Sequence, residues 1–436
     1  MSTVAPVQND VNEVKAAVCR AIDGRRETIE NIGRVIFAAP ELGFKEHRTA
    51  GLVADYLAQL GLRCQTGLGI TGVKAVVETG AAGPTVAVLG ELDSLLVWEH
   101  AQHDATTGAA HACGHNTQIA AMLGVAFGLI DSGVLPSLAG RVAFMAVPAE
   151  EFVEIEERLR LKSEGQLEFL AGKQEMLRVG AFDDVDVAMM VHATSNPEEG
   201  QLGVGGTTNG MLAKFIRYVG RASHAGGAPH KGVNALYAAH VALAGINCLR
   251  ETFRDEDHIR VHPIITRGGD VVSAIPADVR METFVRGATT ESIEVAHTKV
   301  DRALQAGALA LGARLELTTI PGYLPMRQDA RLMDIFQRNA EELVGAERVG
   351  RVGHRTGGTD MGDLGHVIPV LHPFAGGVSG TSHGANFNVD DYTAAAVTPA
   401  KAMAMTVVDL LSDGAARAHA IREQFEPRFS RAAYVE

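Results

Sequence analysis

Cysteine is scarce in this chain. Only Cys19, Cys64, Cys113 and Cys248 occur in 436 residues, and their wide spacing excludes a disulfide scaffold and fits a reducing compartment. Positive charge is also short: 39 Lys and Arg stand against 52 Asp and Glu, a net charge of −13. That excludes the broad basic face a nucleic-acid partner requires, while leaving room for a local positive pocket. Aromatic residues make up 5%, with a single Trp. No uninterrupted apolar stretch reaches the length of a bilayer span, so no membrane partner is expected. The opening MSTVAPVQNDVNEVK lacks the basic start and apolar core of a signal peptide, and the chain reads as a soluble cytoplasmic protein. What is plentiful is glycine, 48 residues, and ordinary hydrophobic content, 46%. A chain of this length exceeds one hydrophobic core, so two domains are expected.

Apolar periodicity predicts helix over 11–39, ending at Pro40, and again over 48–60. Strands are expected at 72–78 and 84–90, the second running into Glu91-Leu92-Asp93. A helix is expected over 117–132 and a buried strand over 140–147, ending at Pro148-Ala149-Glu150-Glu151. Residues 152–180 are charge-rich and helical, and most of those charges read as a solvated face. Strand 186–191 then delivers His192. Between 206 and 322 the order becomes strand 211–220, helix 232–250, strands 259–267 and 275–286, helix 291–311 and strand 313–319. That β-α-β-β-α-β order is the split-βαβ, ferredoxin-like pattern. The chain therefore divides into a catalytic domain over 1–205 and 323–436, with a second domain inserted over 206–322.

The chemistry-bearing stretch is His111-Ala112-Cys113-Gly114-His115-Asn116. Gly114 lets the chain bend so that the thiol and the imidazole can face one point. Glu150-Glu151 and His192 follow at two further strand ends, where α/β folds place their sites. Mixed sulfur, nitrogen and oxygen donors suit a borderline-soft divalent ion, manganese or zinc. A spare carboxylate is what a metal hydrolase needs to activate water. Each group alone has an ordinary structural explanation: a capped helix start, a solvated acid pair, a core histidine. Asp93, two residues beyond Glu91 on the same face, reads as a group that orients the ligands. Two glycine-rich loops carry His224 and His383, each of which also reads as a plain surface turn. The acids of Thr359-Asp360-Met361-Gly362-Asp363 read as turn formers.

In order, APELGFKEHRTA (39–50), GELDSL (90–95), HACGHN (111–116), VPAEE (147–151), VHATS (191–195), SHAGGAPHKGVNAL (223–236), TGGTDMGDLGHVIP (356–369) and GTSHGANF (380–387) resemble the aminoacylase/carboxypeptidase family of metallopeptidases. The resemblance is to its amidohydrolase branch, which includes aminobenzoyl-glutamate and indole-acetyl-amino-acid hydrolases, and it covers nearly the whole chain. It implies a zinc-peptidase-like α/β catalytic domain with an inserted ferredoxin-like α+β lid and dimerisation domain, hence a homodimer or higher homo-oligomer. It implies Cys113, His115, Glu151, His192 and His383 as metal ligands, for one or two divalent ions (manganese or zinc) per protomer. It implies Glu150 as general base, and His224 as an oxyanion-stabilising residue supplied by the partner protomer. The chain departs from the family at Asn116 (usually Asp), Phe37 (commonly His), Glu91-Leu92-Asp93 (usually Asp-Met-Asp) and Gln118 (frequently His). These departures spare the ligand positions and call the usual amino-acid-amide substrate into question.

The expected activity is metal-assisted hydrolysis of a C–N bond in a small carboxylate-bearing, aromatic compound. Arg217, Asn234 and Arg286 are the candidates for binding its carboxylate. The rivals are hydrolytic deamination of an aminoarene carboxylate, exopeptidase activity, and metal binding without catalysis. A base beside the metal argues against the last.

Overall fold

The computed structural model describes residues 10–436. The first nine residues, part of the stretch read for a signal peptide, lie outside them. The chain forms two compact units. Of the described residues, the first holds 10–206, Arg327–Gly353 and Leu364–Glu436; the second holds Thr207–Met326 and His354–Asp363.

The core of the first unit is a six-stranded sheet. Its order is Cys64–Leu68, Gly72–Glu78, Ala139–Val147, Ala81–Glu91, Val187–Met189, Val370–Leu371. The three middle strands, Ala139–Val147, Ala81–Glu91 and Val187–Met189, run parallel, with Glu91 opposite Val147 and Val88 opposite Met189. Their C-terminal ends therefore open on one edge, where an α/β sheet places its chemistry. Their central residues are apolar and fully buried, as a strand covered on both faces must be.

Helix His115–Asp131 is buried along nearly its whole length, so its sequence is apolar all round rather than striped. The helix expected over 11–39 is two helices, Val11–Gly24 and Arg26–Phe37. Among the described residues one helical run, Thr393–Leu411, is long and apolar enough to cross a membrane, but 89% of its most apolar window is buried inside the protein. It packs beside Val11–Gly24, His115–Asp131 and Ala330–Val344 as a core helix.

The second unit carries an antiparallel sheet in the order Arg260–Val261, Asp278–Gly287, Gly210–Val219, Arg314–Pro321, with Ile264–Arg267 also paired to Asp278–Gly287. Helices Ala235–Cys248 and Thr290–Leu311 pack together against it. Taken in chain order this is the split-βαβ arrangement. Residues 354–363, expected from the sequence to belong to the resumed catalytic domain, fold with this unit. The amide of Asn209 bonds to the Arg355 carbonyl, and Asp363 accepts from the Leu324 amide.

Candidate metal centre

The three parallel strand ends and the start of the buried helix build the site. Gly114 caps helix His115–Asp131 in a left-handed conformation, φ 94°, and a Cβ there would lie 2.5 Å from that of Ala193. Only glycine allows that bend, which turns Cys113 and His115 to one side.

Cys113 Sγ lies 3.4 Å from His192 Nε2. Cys113, His115 and His192 form one group whose donor atoms lie within 4.8 Å of one another; Cys113, Glu151 and His383 form a second, and Glu91, His115 and Glu150 a third. Cys113 is shared by the first two. His383 Nε2 stands 3.1 Å from Glu151 Oε1, and His115 Nε2 stands 3.1 Å from Glu91 Oε2 and 3.9 Å from Glu150 Oε2.

These donors fit a divalent ion. His115 Nε2 and Glu151 Oε1 are buried and make no hydrogen bond despite those short separations. Each belongs to a group of donors that includes Cys113. Neighbouring donors on one ion, with bonds of about 2.1 Å, sit roughly 3 Å apart, the spacing seen here. Burial and the Glu151 carboxylate both oppose a thiolate at Cys113, yet the His192 and His115 imidazoles hold its thiol well below the ordinary value. A thiolate is the form that binds metal. Burial opposes charge on Glu151 too, and His383 outweighs it, drawing the carboxyl down to about 2.

Several of these candidate donors are held by their neighbours. His115 Nδ1 faces the Asp93 carbonyl at 2.9 Å and Asp93 Oδ1 at 3.1 Å, which fixes the ring and its tautomer. Asp93 Oδ2 accepts the Glu151 amide at 2.8 Å. His192 Nδ1 is 2.8 Å from the Ala193 carbonyl. The turn carrying Glu150 and Glu151 is braced at several backbone groups. The amide of Ala149 bonds to Glu46 Oε1 at 2.7 Å, and its carbonyl accepts from Gly172. The Glu151 carbonyl accepts from Arg158 at 2.6 Å. That bracing holds Ala149 at φ 49°. Elsewhere in the site His383 sits at φ 63°. Both occupy a left-handed region that non-glycine residues enter at a cost.

Several of these residues were not legible in the sequence. Arg158 and Lys173 sit in the segment read as solvated, but they are 1% and 0% exposed. Lys173 Nζ bonds to Glu91 Oε1 at 2.5 Å, and Gln118 Nε2 to Glu91 Oε2 at 2.8 Å. The only sequence hint is that Lys173 is flanked by Leu170-Ala171-Gly172 and Met176-Leu177. His372, buried within Val370-Leu371 and Pro373-Phe374, stacks on His192 with ring centroids 5.8 Å apart. Asn116, by contrast, does not address the centre: its Nδ2 bonds to the Gly33 carbonyl at 3.1 Å and reaches Tyr392 Oη at 3.5 Å.

The remaining candidates lie in the second unit. His224 is exposed, and its Nδ1 accepts from the Gly226 and Gly227 amides at 3.2 and 2.8 Å. That leaves Nε2 as the proton-bearing, outward-facing donor. Arg217, offered as a carboxylate binder, is committed to Asp278 at 2.7 Å and Glu316 at 3.3 Å across the sheet. Asn234 Oδ1 caps helix Ala235–Cys248. The Arg286 guanidinium lies 5.1 Å over the Phe284 ring.

A cysteine-histidine-carboxylate cluster at the parallel strand ends, with a further buried carboxylate beside it, defines a metal-dependent hydrolase. The profile of peptidase family M20/M25/M40 matches residues 87–409, and the chain belongs to that family. It is 28% identical over 429 residues to the Xaa-Arg dipeptidase of Mus musculus, covering 91% of this chain and 89% of that protein. It is 25% identical over 324 residues to the N-acyl-L-amino acid amidohydrolase of Geobacillus stearothermophilus, covering 72% and 81%. The fold matches that of the Bacillus subtilis YXEP protein, a dinuclear metal-binding peptidase of the M20 family, with a TM-score of 0.64, 21% identity and 89% and 99% coverage.

Proposed function

We propose that the protein hydrolyses a C–N bond in a small, carboxylate-bearing aromatic compound. The observation that carries this reading is the buried Glu150 carboxylate, 3.9 Å from the ligand atom of His115. It stands beside the converging donors without being one of the Cys113-centred groups. Cys113, His115, Glu151, His192 and His383 would hold divalent metal, manganese or zinc. When bound, the metal lowers the pKa of water and polarises the substrate. Glu150 takes the proton from the attacking water and returns it to the departing nitrogen. Asp93 keeps the His115 lone pair aimed inward throughout.

His224, with Nε2 as a donor, is assigned to stabilising the developing negative charge, on the family resemblance. The same resemblance supports a homodimer or higher homo-oligomer. Arg286 remains the candidate for the substrate carboxylate, since Arg217 and Asn234 are engaged within their own sheet and helix.

A second reading is hydrolytic deamination, in which water replaces the amine of an activated aminoarene carboxylate and ammonia leaves. A 5-nitroanthranilic acid aminohydrolase would act in this way. The departures at Glu91 and Gln118 motivate it: Glu91 stands 3.1 Å from His115 and Gln118 bonds to Glu91, so they alter the surroundings of the candidate centre relative to the amide-cleaving pattern the chain resembles.

The test is Glu150→Gln, assayed on a panel of dipeptides, acyl-amino acids, aminobenzoyl-glutamate and aminobenzoates including 5-nitroanthranilate. The variant is expected to keep its metal and lose turnover by roughly 10²–10⁴-fold. Full activity would refute the base assignment. Ammonia released from an aminoarene that contains no amide decides for deamination; a released amine decides for amide hydrolysis.

A further inference from the structure

We propose that Glu91 is an additional oxygen donor to the divalent ion held by Cys113, His115 and His192, and that Lys173 is its charge partner. The inference rests on the metal centre of the proposed hydrolase and extends it to residues that the five-ligand set leaves out.

The tautomer of His115 comes first. Nδ1 faces two acceptors, the Asp93 carbonyl and Asp93 Oδ1, so it carries the proton. Nε2 then presents a lone pair. That lone pair is buried, makes no hydrogen bond and points at Glu91 Oε2 from 3.1 Å. When the ring is neutral, as a metal ligand must be, two acceptors facing each other at this distance in a buried site repel. A cation shared by both turns the repulsion into coordination, and about 3 Å is the separation expected of adjacent donors on one ion.

Glu91 has capacity to spare for this. A carboxylate offers about four lone-pair positions. Lys173 takes one on Oε1 and Gln118 one on Oε2. Gln118 is also anchored in return, since its Oε1 accepts the Glu91 amide at 3.2 Å. The carboxylate is thus held from two sides, with its remaining capacity toward His115. Glu91, His115 and Glu150 place donor atoms within 4.8 Å of one another, so the added oxygen lies on the side where the base operates.

Lys173 explains how an extra carboxylate is tolerated. Glu91 and Lys173 are 1% and 0% exposed, and a buried charge needs a partner. Together the pair is neutral, so the site gains an oxygen donor without gaining net negative charge.

The experiment compares wild type with Glu91→Gln, Lys173→Met and the double variant, which removes both charges at once and so avoids leaving either one buried alone. Thermal unfolding checks that each is folded. Manganese and zinc affinities are measured by competition with a chromophoric chelator, and cobalt-loaded protein gives the ligand-field spectrum. The expected result is a loss of about 10–100-fold in affinity for Glu91→Gln and for the double variant, with an altered cobalt spectrum. Lys173→Met, which leaves the donor and removes a cation, is expected to bind metal at least as tightly as wild type. A folded double variant with wild-type affinity and spectrum would overturn the proposal. Equal losses in Lys173→Met and Glu91→Gln would overturn it too, by showing that the pair acts only through packing. Wild-type protein that binds no metal would instead overturn the metal-centre reading itself.

Discussion

Glu46 offers a sharp test of how the carboxylate turn is held. Its side chain is fully buried. Oε1 accepts the Ala149 amide at 2.7 Å and Oε2 accepts from Thr71 Oγ1 at 2.6 Å. Burial, followed by the nearby Asp93 carboxylate, pushes its pKa from the ordinary 4.5 to about 7, against the pull of those two hydrogen bonds. A raised folded-state value means that the native protein holds the proton more tightly than the unfolded chain. The resulting stability is fully present below pH 4.5 and is lost as pH rises through about 7. At about 1.36 kcal/mol per tenfold change in proton affinity, the loss is roughly 3 kcal/mol. Glu46→Gln mimics the protonated form: its oxygen can still accept from Ala149, and the Thr71 hydroxyl can turn to accept from its amide. Urea unfolding of both proteins, stripped of metal so that ligand titrations cancel in the difference, should show the variant gaining roughly 3 kcal/mol on wild type between about pH 4.5 and 8. A difference that stays flat to about 0.5 kcal/mol would refute the claim that Glu46 is folded in as a high-pKa acid.

Asp93→Asn replaces the acceptor that fixes His115 and should weaken metal binding by about 10–100-fold in chelator competition, with secondary structure unchanged. Gly114→Ala places a Cβ 2.5 Å from that of Ala193 at a φ of 94°; overpacking of this kind costs about 1–3 kcal/mol, so a lower unfolding temperature and loss of bound metal are expected. Asn116→Asp, which restores the residue usual in the family, should leave metal content and substrate preference unchanged, because the side chain faces Gly33 and Tyr392. A change in substrate preference there would refute this placement of Asn116.

What could be read from the sequence follows from where the physics is local. The strands at 84–90 and 140–147 stand out because a strand covered on both faces must be nearly continuously apolar, and in the structure they run over Ala81–Glu91 and Ala139–Val147. The helix after Cys113 is legible for the same reason, and so is the β-α-β-β-α-β order of the second unit. The candidate donors of the metal centre are suggested by residue type, Glu150-Glu151 and His192 beyond strand ends and Cys113-Gly114-His115 before a buried helix. The boundary of the second unit was less legible: residues 354–363 join it through hydrogen bonds to Asn209 and Leu324, contacts between segments far apart in sequence.

The misread charges have one physical cause. In a charge-rich helical segment, a solvated face is the ordinary expectation for lysine and arginine, since burying either is costly unless it is paired. Arg158 and Lys173 escape that expectation because each meets its partner only in three dimensions: the Glu151 carbonyl for one, Glu91 for the other. Glu46 is hidden in the same way, as an acid just before a helix start whose carboxylate turns inward to Ala149 and Thr71. These three residues and Asp93 do not resemble catalytic groups. They hold the backbone and side chains on which such groups sit, and a strained turn such as that at Ala149 persists only when its surroundings hold it from several sides. The candidate metal donors can be picked out by residue type once their motifs are taken together. The parts that aim them can be recognised only as a set, because their chemistry lies in pairings between distant segments.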